Sequence, residues 1–198
     1  MIFDLSKPLP TRANFKGKNY ALDLKLATVL KVYDILHSSE LDAYEKNSMF
    51  LALLVREHDP PPELLKYVFD EYISITKKNT DSRTLRCVDF KQDGIYIYSS
   101  FMHDYGIDLV KKRDKMHWWQ FVSLFYGLSK ETKIREVMQI RSCEFPAPTK
   151  YNGKYIADLA KLKQYYALDL SQEEREYNFR QGLAELAATL RARAEKGR

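Results

Sequence analysis

Residues able to do chemistry are few in this chain and do not converge along it. Histidines stand at His37, His58, His103 and His117 with no HxxxH or HExxH spacing, so no helix face pairs them as a metal or catalytic site requires. Asp89 and Asp93 are four apart, the spacing that brings two carboxylates to one side of a helix. Such a pair can hold a cation, but acids also suit a first helical turn, where the macrodipole favours negative charge. The dipole reading is the expectation. His103 and Asp104 are neighbours, and neighbours on a helix point about 100° apart, which argues against a dyad. The run GKNY, from Gly17 to Tyr20, lacks every other part of a phosphate-binding loop. No serine or cysteine sits in a nucleophile motif, and Cys87 and Cys143 belong to no CxxC or Cys/His spacing, which marks them as reduced thiols. The sequence therefore predicts no catalytic residue, no metal ligand and no cofactor.

Composition narrows the class. The 198 residues suffice for one compact domain over 1–198. Hydrophobic residues at 45% and aromatics at 13% supply a core, while only 7 Gly and 7 Pro favour helices over turn-rich β structure. Asp4 interrupts the region where a signal peptide needs its apolar run, so secretion is not expected. The charge-free stretch Met116 to Ser129 is 14 residues, short of the ~20 that a membrane span needs. Net charge is +5; residues 1–99 hold 14 Lys/Arg against 14 Asp/Glu, and residues 100–198 hold 18 against 13. The surplus falls in VKKRDK, Val110 to Lys115, and in the terminal LRARAEKGR. That asymmetry permits contact with nucleic acid, although a solvated loop and a helix C-terminus account for it as well.

The elements read as an all-α bundle of about eight helices behind a short N-terminal β-hairpin. The hairpin spans about 11–22, with Gly17 supplying the turn. Leu22, Leu26, Val29, Leu30, Tyr33 and Leu36 then recur at helical steps, with Asp23 placed as an N-cap. A second helix presents Tyr44, Met49 and Leu53 and stops at DPPPE, because proline disfavours helix in the residue before it. A third carries Leu64, Leu65, Val68, Phe69, Tyr72 and Ile73 inward. A polar linker at about 79–86 comes next. In the helix after it, from Asp89-Phe90, a shared face holds Phe90, Ile97, Tyr98, Phe101, Met102 and Tyr105. Gly94 lies on that face, where another helix can approach, and Gly106 is placed to close the helix. Ser129 is a candidate N-cap for the helix carrying Ile134, Val137, Met138 and Arg141.

Between these last two lies HWWQFVSLFYGL, His117 to Leu128, which raises the question of what its paired tryptophans meet. On a helical wheel Trp118, Phe121, Val122 and Phe125 crowd one side, and only Gln120, Ser123 and Gly127 form a polar strip. A helix apolar nearly all round is normally surrounded by protein. Base-stacking aromatics would be interleaved with Arg and Lys, and none occurs from His117 to Ser129. The expected core is Phe90, Phe101, Tyr105, Trp118, Phe121, Val122 and Phe125. Trp119, at the edge, is a candidate contact for another protein. The C-terminal extension, about 151–198, ends in a helix opened by Ser171 and Glu174 as a capping box. Its Phe179, Leu183, Leu186 and Leu190 form a stripe too thin for a central core, suited to lying on the body or docking into a neighbouring subunit. These four are further candidate protein contacts.

The sequence DFKQDGIYIYSSFMHDYGIDL followed by MHWWQFVSLFYGLSKETKIREVMQIRS resembles the bacteriophage gene-product-fifteen family, found in long-tailed phages and prophages of Gram-positive bacteria. The likeness rests on the helix from Asp89-Phe90, the DYGIDL turn from Asp104 to Leu109, His117-Trp118-Trp119, Gly127-Leu128 and Arg141. GKNYALDLKLATVLKVYDIL resembles the family's N-terminal hairpin and first helix. The resemblance extends over about residues 10 to 145 and leaves the helices beyond Cys143 unmatched. Genes of that kind sit before the tape-measure gene, so the resemblance implies a tail-assembly chaperone of the host cytoplasm. Its expected partners are the tape-measure protein and other tail-assembly proteins, with a homo-oligomer as a further possibility. Two alternatives remain: a nucleic-acid-binding helical phage protein, and a structural tail or connector component.

Overall fold

The computed structural model describes residues 5–38, 40–74 and 87–169. The chain is mostly helical, with a two-stranded antiparallel hairpin at its start. Strand β1 (Arg12–Phe15) pairs with β2 (Lys18–Ala21) in the register Arg12 to Ala21 and Phe15 to Lys18. Lys16 and Gly17 both have positive φ, 49° and 80°, the two-residue turn whose twist suits a hairpin.

After β2 the chain stays extended for four residues, and this segment with the first helical residue after it seats two later elements. Asp23 N–H donates to the Leu54 carbonyl at 2.8 Å, Trp118 N–H to the Leu24 carbonyl at 2.7 Å, and Leu26 N–H to the Met116 carbonyl at 2.8 Å. Leu22 and Leu24 are buried with Leu26, a period of two that belongs to a strand. Helix α1 (Leu26–Leu36) therefore begins later than its apolar steps suggest. Asp23 does not cap it: the N-cap is Lys25, and the Asp23 carboxylate accepts from the Lys25 backbone at 3.3 Å.

Helix α2 (Ala43–Leu54) opens with a reciprocal capping box between Asp42 and Glu45. It ends well before the prolines, because Val55 leaves the helix to pair with Leu22. Its buried side is Phe50, Leu51 and Leu54; Tyr44 and Met49, expected inward, are exposed. Helix α3 (Glu63–Val68) continues into a π-helical turn, Phe69–Ile73. The expected polar linker 79–86 lies outside the described residues.

Helix α4 spans Gly94–Tyr105, preceded by a turn in which the Asp89 carboxylate accepts from the backbones of Lys91 and Gln92, both at 2.8 Å. Ile97 and Phe101 are buried, whereas Met102 faces outward. Gly94 has no atom near its missing Cβ, so it is not a point of close approach; Gly127 is, with Tyr105 Oη 2.9 Å from where a Cβ would stand. Gly106 closes α4 in the left-handed conformation at φ 62°. Helix α5 (Leu109–Lys112) is one turn, capped by Asp108. Helix α6 (Trp118–Gly127) and α7 (Lys133–Ser142) come next, and α8 (Gly153–Tyr165) is the last helix among the described residues. Ser129 is not the cap of α7. That place is Thr132's, and the Ile134 N–H of its first turn donates to Ser100 Oγ of α4 at 3.1 Å. Buried side chains from Ala13 to Ile134 form one cluster around Trp118, Phe50 and Phe101.

The two glycines near α4 respond oppositely to a methyl group. Gly106→Ala is expected to cost about 1 kcal/mol in urea unfolding, because its left-handed φ penalises a Cβ. Gly94→Ala is expected to be neutral or stabilising by up to ~1 kcal/mol.

Candidate functional site

The segment that raised the question of contact is an internal brace. Trp118 is fully buried and its Nε1 donates to the Ile73 carbonyl at 3.0 Å; Trp119 Nε1 donates to the Tyr72 carbonyl at 2.9 Å. Two adjacent indoles thus satisfy two consecutive carbonyls at the end of the π-helical turn, where a helix leaves such acceptors without partners of its own. Trp119 also stacks on the Tyr72 ring at 6.3 Å. It is half-buried, packed on the π-helical turn after α3 with part of its surface still open. Helix α6 is not enclosed all round: Gln120, Ser123, Tyr126 and Gly127 form an exposed strip.

Of the expected core residues, Phe101, Trp118, Phe121, Val122 and Phe125 are buried, while Phe90 and Tyr105 are half-buried and packed on them. The Phe90 ring meets Tyr33 at 5.2 Å, Trp118 at 5.6 Å and Phe121 at 5.9 Å, each edge to face. Phe101 lies parallel to Phe121 at 5.2 Å. Tyr105 Oη donates to the Leu124 carbonyl at 2.9 Å, joining α4 to α6.

His117 starts this helix. Its Nδ1 accepts from Trp119 N–H at 3.1 Å, and Nε2 lies 2.9 Å from the Pro10 carbonyl. One neutral tautomer, with its proton on Nε2, meets both demands. Burial pushes this imidazole below its ordinary 6.5, outweighing the opposing effect of the Pro10 carbonyl. His103 does reach Asp104, at 2.9 Å, despite their divergent helix positions, but it is largely exposed. Asp104 is occupied in structure: Ser129 donates to it from N–H at 2.7 Å and from Oγ at 3.1 Å. The Ser129 backbone first, and His103 next, hold its carboxyl below the usual range.

The strongest polar feature has no counterpart among the sequence expectations. Asp93 and Arg141, 48 residues apart, form a buried bidentate pair, Nη1 to Oδ2 at 2.6 Å and Nη2 to Oδ1 at 2.7 Å. The Asp93 side chain is inaccessible and that of Arg141 nearly so. Further guanidinium donors reach the Cys87 carbonyl at 2.9 Å and the Tyr166 carbonyl at 2.6 Å. One arginine thereby joins α4, α7, the chain before α4 and the end of α8. The two carboxylates consequently serve different partners: that of Asp89 holds a turn, and that of Asp93 faces the arginine while also accepting from Asp89 N–H at 2.9 Å.

Little else invites chemistry. Among the described residues no group of three or more His, Cys, Asp or Glu is arranged to hold a metal ion, and no helix is long and apolar enough to cross a membrane. A groove beside Tyr33 and Phe90 is lined by mixed charges, among them Lys31, Asp34 and Arg113. The basic run from Val110 to Lys115 is exposed, and within it Lys111 pairs with Asp108 at 3.2 Å and Arg113 with Asp114 at 3.8 Å. Phe179, Leu183, Leu186 and Leu190, with the capping box at Ser171 and Glu174, lie outside the described residues.

Comparison with known proteins found one family model, described as bacteriophage Gp15 protein, which matches residues 5–168. The match runs past Cys143, so α8 belongs with the rest of the family's span. No curated protein and no solved structure matches the chain.

The buried groups carry two predictions. Arg141→Ala strands the Asp93 carboxylate and is expected to lower urea stability by ~3–5 kcal/mol, whereas the double replacement Asp93→Asn, Arg141→Met recovers part of it; a loss under ~1 kcal/mol for the single variant contradicts the clamp. For His117, the unfolded state binds more protons than the folded one between the lowered value and 6.5. Its stabilising contribution is thus complete above about pH 6.5 and declines as pH falls through that interval. His117→Asn keeps a capping acceptor and is expected to flatten the loss of urea midpoint between about pH 7.5 and 5.5; an unchanged slope refutes the assignment.

Proposed function

The chain belongs to the bacteriophage Gp15 protein family, and on that premise we propose that it is a non-enzymatic tail-assembly chaperone that holds the tape-measure protein in the host cytoplasm. The family match is the observation that carries this reading, through the position that such genes occupy before the tape-measure gene. The arrangement of side chains is in keeping with a binding role. The aromatic segment, the imidazole of His117 and the buried ion pair are each taken up by internal hydrogen bonds.

In this reading binding rests on helix faces. A tape-measure protein is long and helical, and amphipathic helices are held by grooves and by complementary apolar stripes. The stripe Phe179, Leu183, Leu186 and Leu190 has the spacing for such a contact. Trp119 is assigned only a marginal part, since its indole nitrogen is already engaged with Tyr72.

Co-expression with the tape-measure protein, followed by pull-down through a tag on the chaperone, tests the proposal. The wild type is expected to retain the tape-measure protein, and the Leu183→Glu, Leu186→Glu variant to retain at least about tenfold less, as loss of two central anchors implies. Failure of the wild type to retain it rejects the function; equal recovery of the variant removes the stripe alone.

A further inference from the structure

Helix α8 is fastened to the body mainly through polar atoms. Leu159 is its one buried residue. Lys163 Nζ donates to the Arg141 carbonyl at 2.9 Å, and the Tyr166 carbonyl accepts from Arg141 Nε at 2.6 Å. Just beyond, Gln92 donates to the Ala167 carbonyl and accepts from Asp169 N–H, both at 2.9 Å. The ring of Tyr166 packs edge to face on Tyr96 and lies under the Lys133 ammonium at 5.1 Å. The helix is therefore held in a fixed orientation without using its other apolar flank.

That flank is bare. Tyr155 is 60% exposed, Leu162 44% and Tyr165 76%, and Tyr151, in the turn entering the helix, is 90% exposed. At 100° per residue Tyr155, Asp158, Leu162 and Tyr165 fall within about 80° of one another, and Tyr151 stands two residues before the first helical one. Taking ~200 Å² for a whole aromatic side chain, the three tyrosines present roughly 450 Å², the size of the largest apolar patch on an ordinary monomer. This is more than half of the ~800 Å² that each partner contributes to a standard interface.

The spacing of the flank says what kind of surface covers it. Counted from Asp158, the apolar residues stand seven and three before it and four and seven after it. A second α8 laid antiparallel across Asp158 meets Tyr155 with Leu162, and brings Tyr165 to the turn that holds Tyr151. Isologous pairing needs this property, a patch complementary to itself under a two-fold rotation. Lys161 Nζ stands 4.0 Å from the Asp158 carboxylate in the same helix, which offsets the two acids brought together at the axis. We propose that the protein associates with a second copy of itself through the tyrosine flank of α8, antiparallel about Asp158. This goes beyond the chaperone reading and needs no tape-measure protein to examine it.

Sedimentation equilibrium of the full chain from about 1 to 100 µM tests the pairing. A dimer is expected, with Tyr155→Glu, Tyr165→Glu raising its Kd at least tenfold while far-UV circular dichroism stays unchanged. Asp158→Cys, at the axis, is expected to give a disulfide-linked dimer on a non-reducing gel, whereas wild type and Arg113→Cys do not. A monomer across the range, or a dimer that survives both glutamates, overturns the proposal. A dimer without the Asp158→Cys link overturns the antiparallel axis.

Discussion

Two indole N–H groups meeting two consecutive carbonyls, those of Tyr72 and Ile73, hold the N-terminal half of the structure to its centre. The end of the π-helical turn needs acceptors satisfied in a place from which Trp118 excludes water. Burying those carbonyls unpaired would cost on the order of 1–3 kcal/mol each. Helix α6 supplies both donors from adjacent residues and is itself seated by the extended segment after β2, where Trp118 N–H meets the Leu24 carbonyl. The hairpin, α2 and α6 are therefore positioned by backbone contacts to four residues. The aromatic cluster around Phe90, Phe101 and Phe121 fills the space that results.

Arg141 has the corresponding part in the second half. A buried guanidinium is tolerable only when its charge is met and most of its donors are used, and both conditions hold: of its five N–H donors, two go to Asp93 and one each to the carbonyls of Cys87 and Tyr166. The arrangement fixes the start of α4 against the ends of α7 and α8 with a directionality that apolar packing lacks. Tyr155 and Tyr165 of α8 remain exposed on the helix it fastens.

Helix existence was legible because apolar residues recur at three- and four-residue steps through α1, α4, α6 and α7, and the hairpin because Lys16-Gly17 interrupts an alternating run. Boundaries were less so. Leu22 and Leu26 are four apart and read as helix, while Leu24 between them, buried too, betrays the strand. The end of α2 is set by Val55 pairing with Leu22, a contact across 33 residues that no proline signals. The role of Trp118 was readable from its charge-free surroundings, but that of Trp119 depended on the position of Tyr72. Asp93 resembled any acid in a first helical turn. Its partner stands in the last turn of α7, where an arginine has an ordinary explanation in the dipole. Tertiary pairing of this kind leaves no periodic trace in one sequence.

The central claim is that the tryptophan pair is structural scaffolding, leaving recognition to other surfaces. The chain has only two tryptophans, Trp118 and Trp119, so its indole fluorescence reports on this pair alone. Native protein is expected to emit at blue-shifted wavelengths with little quenching by iodide, and to shift red with full quenching only on urea unfolding. Native emission already at the position of indole in water, and quenched by iodide as readily as in the unfolded chain, would contradict the account.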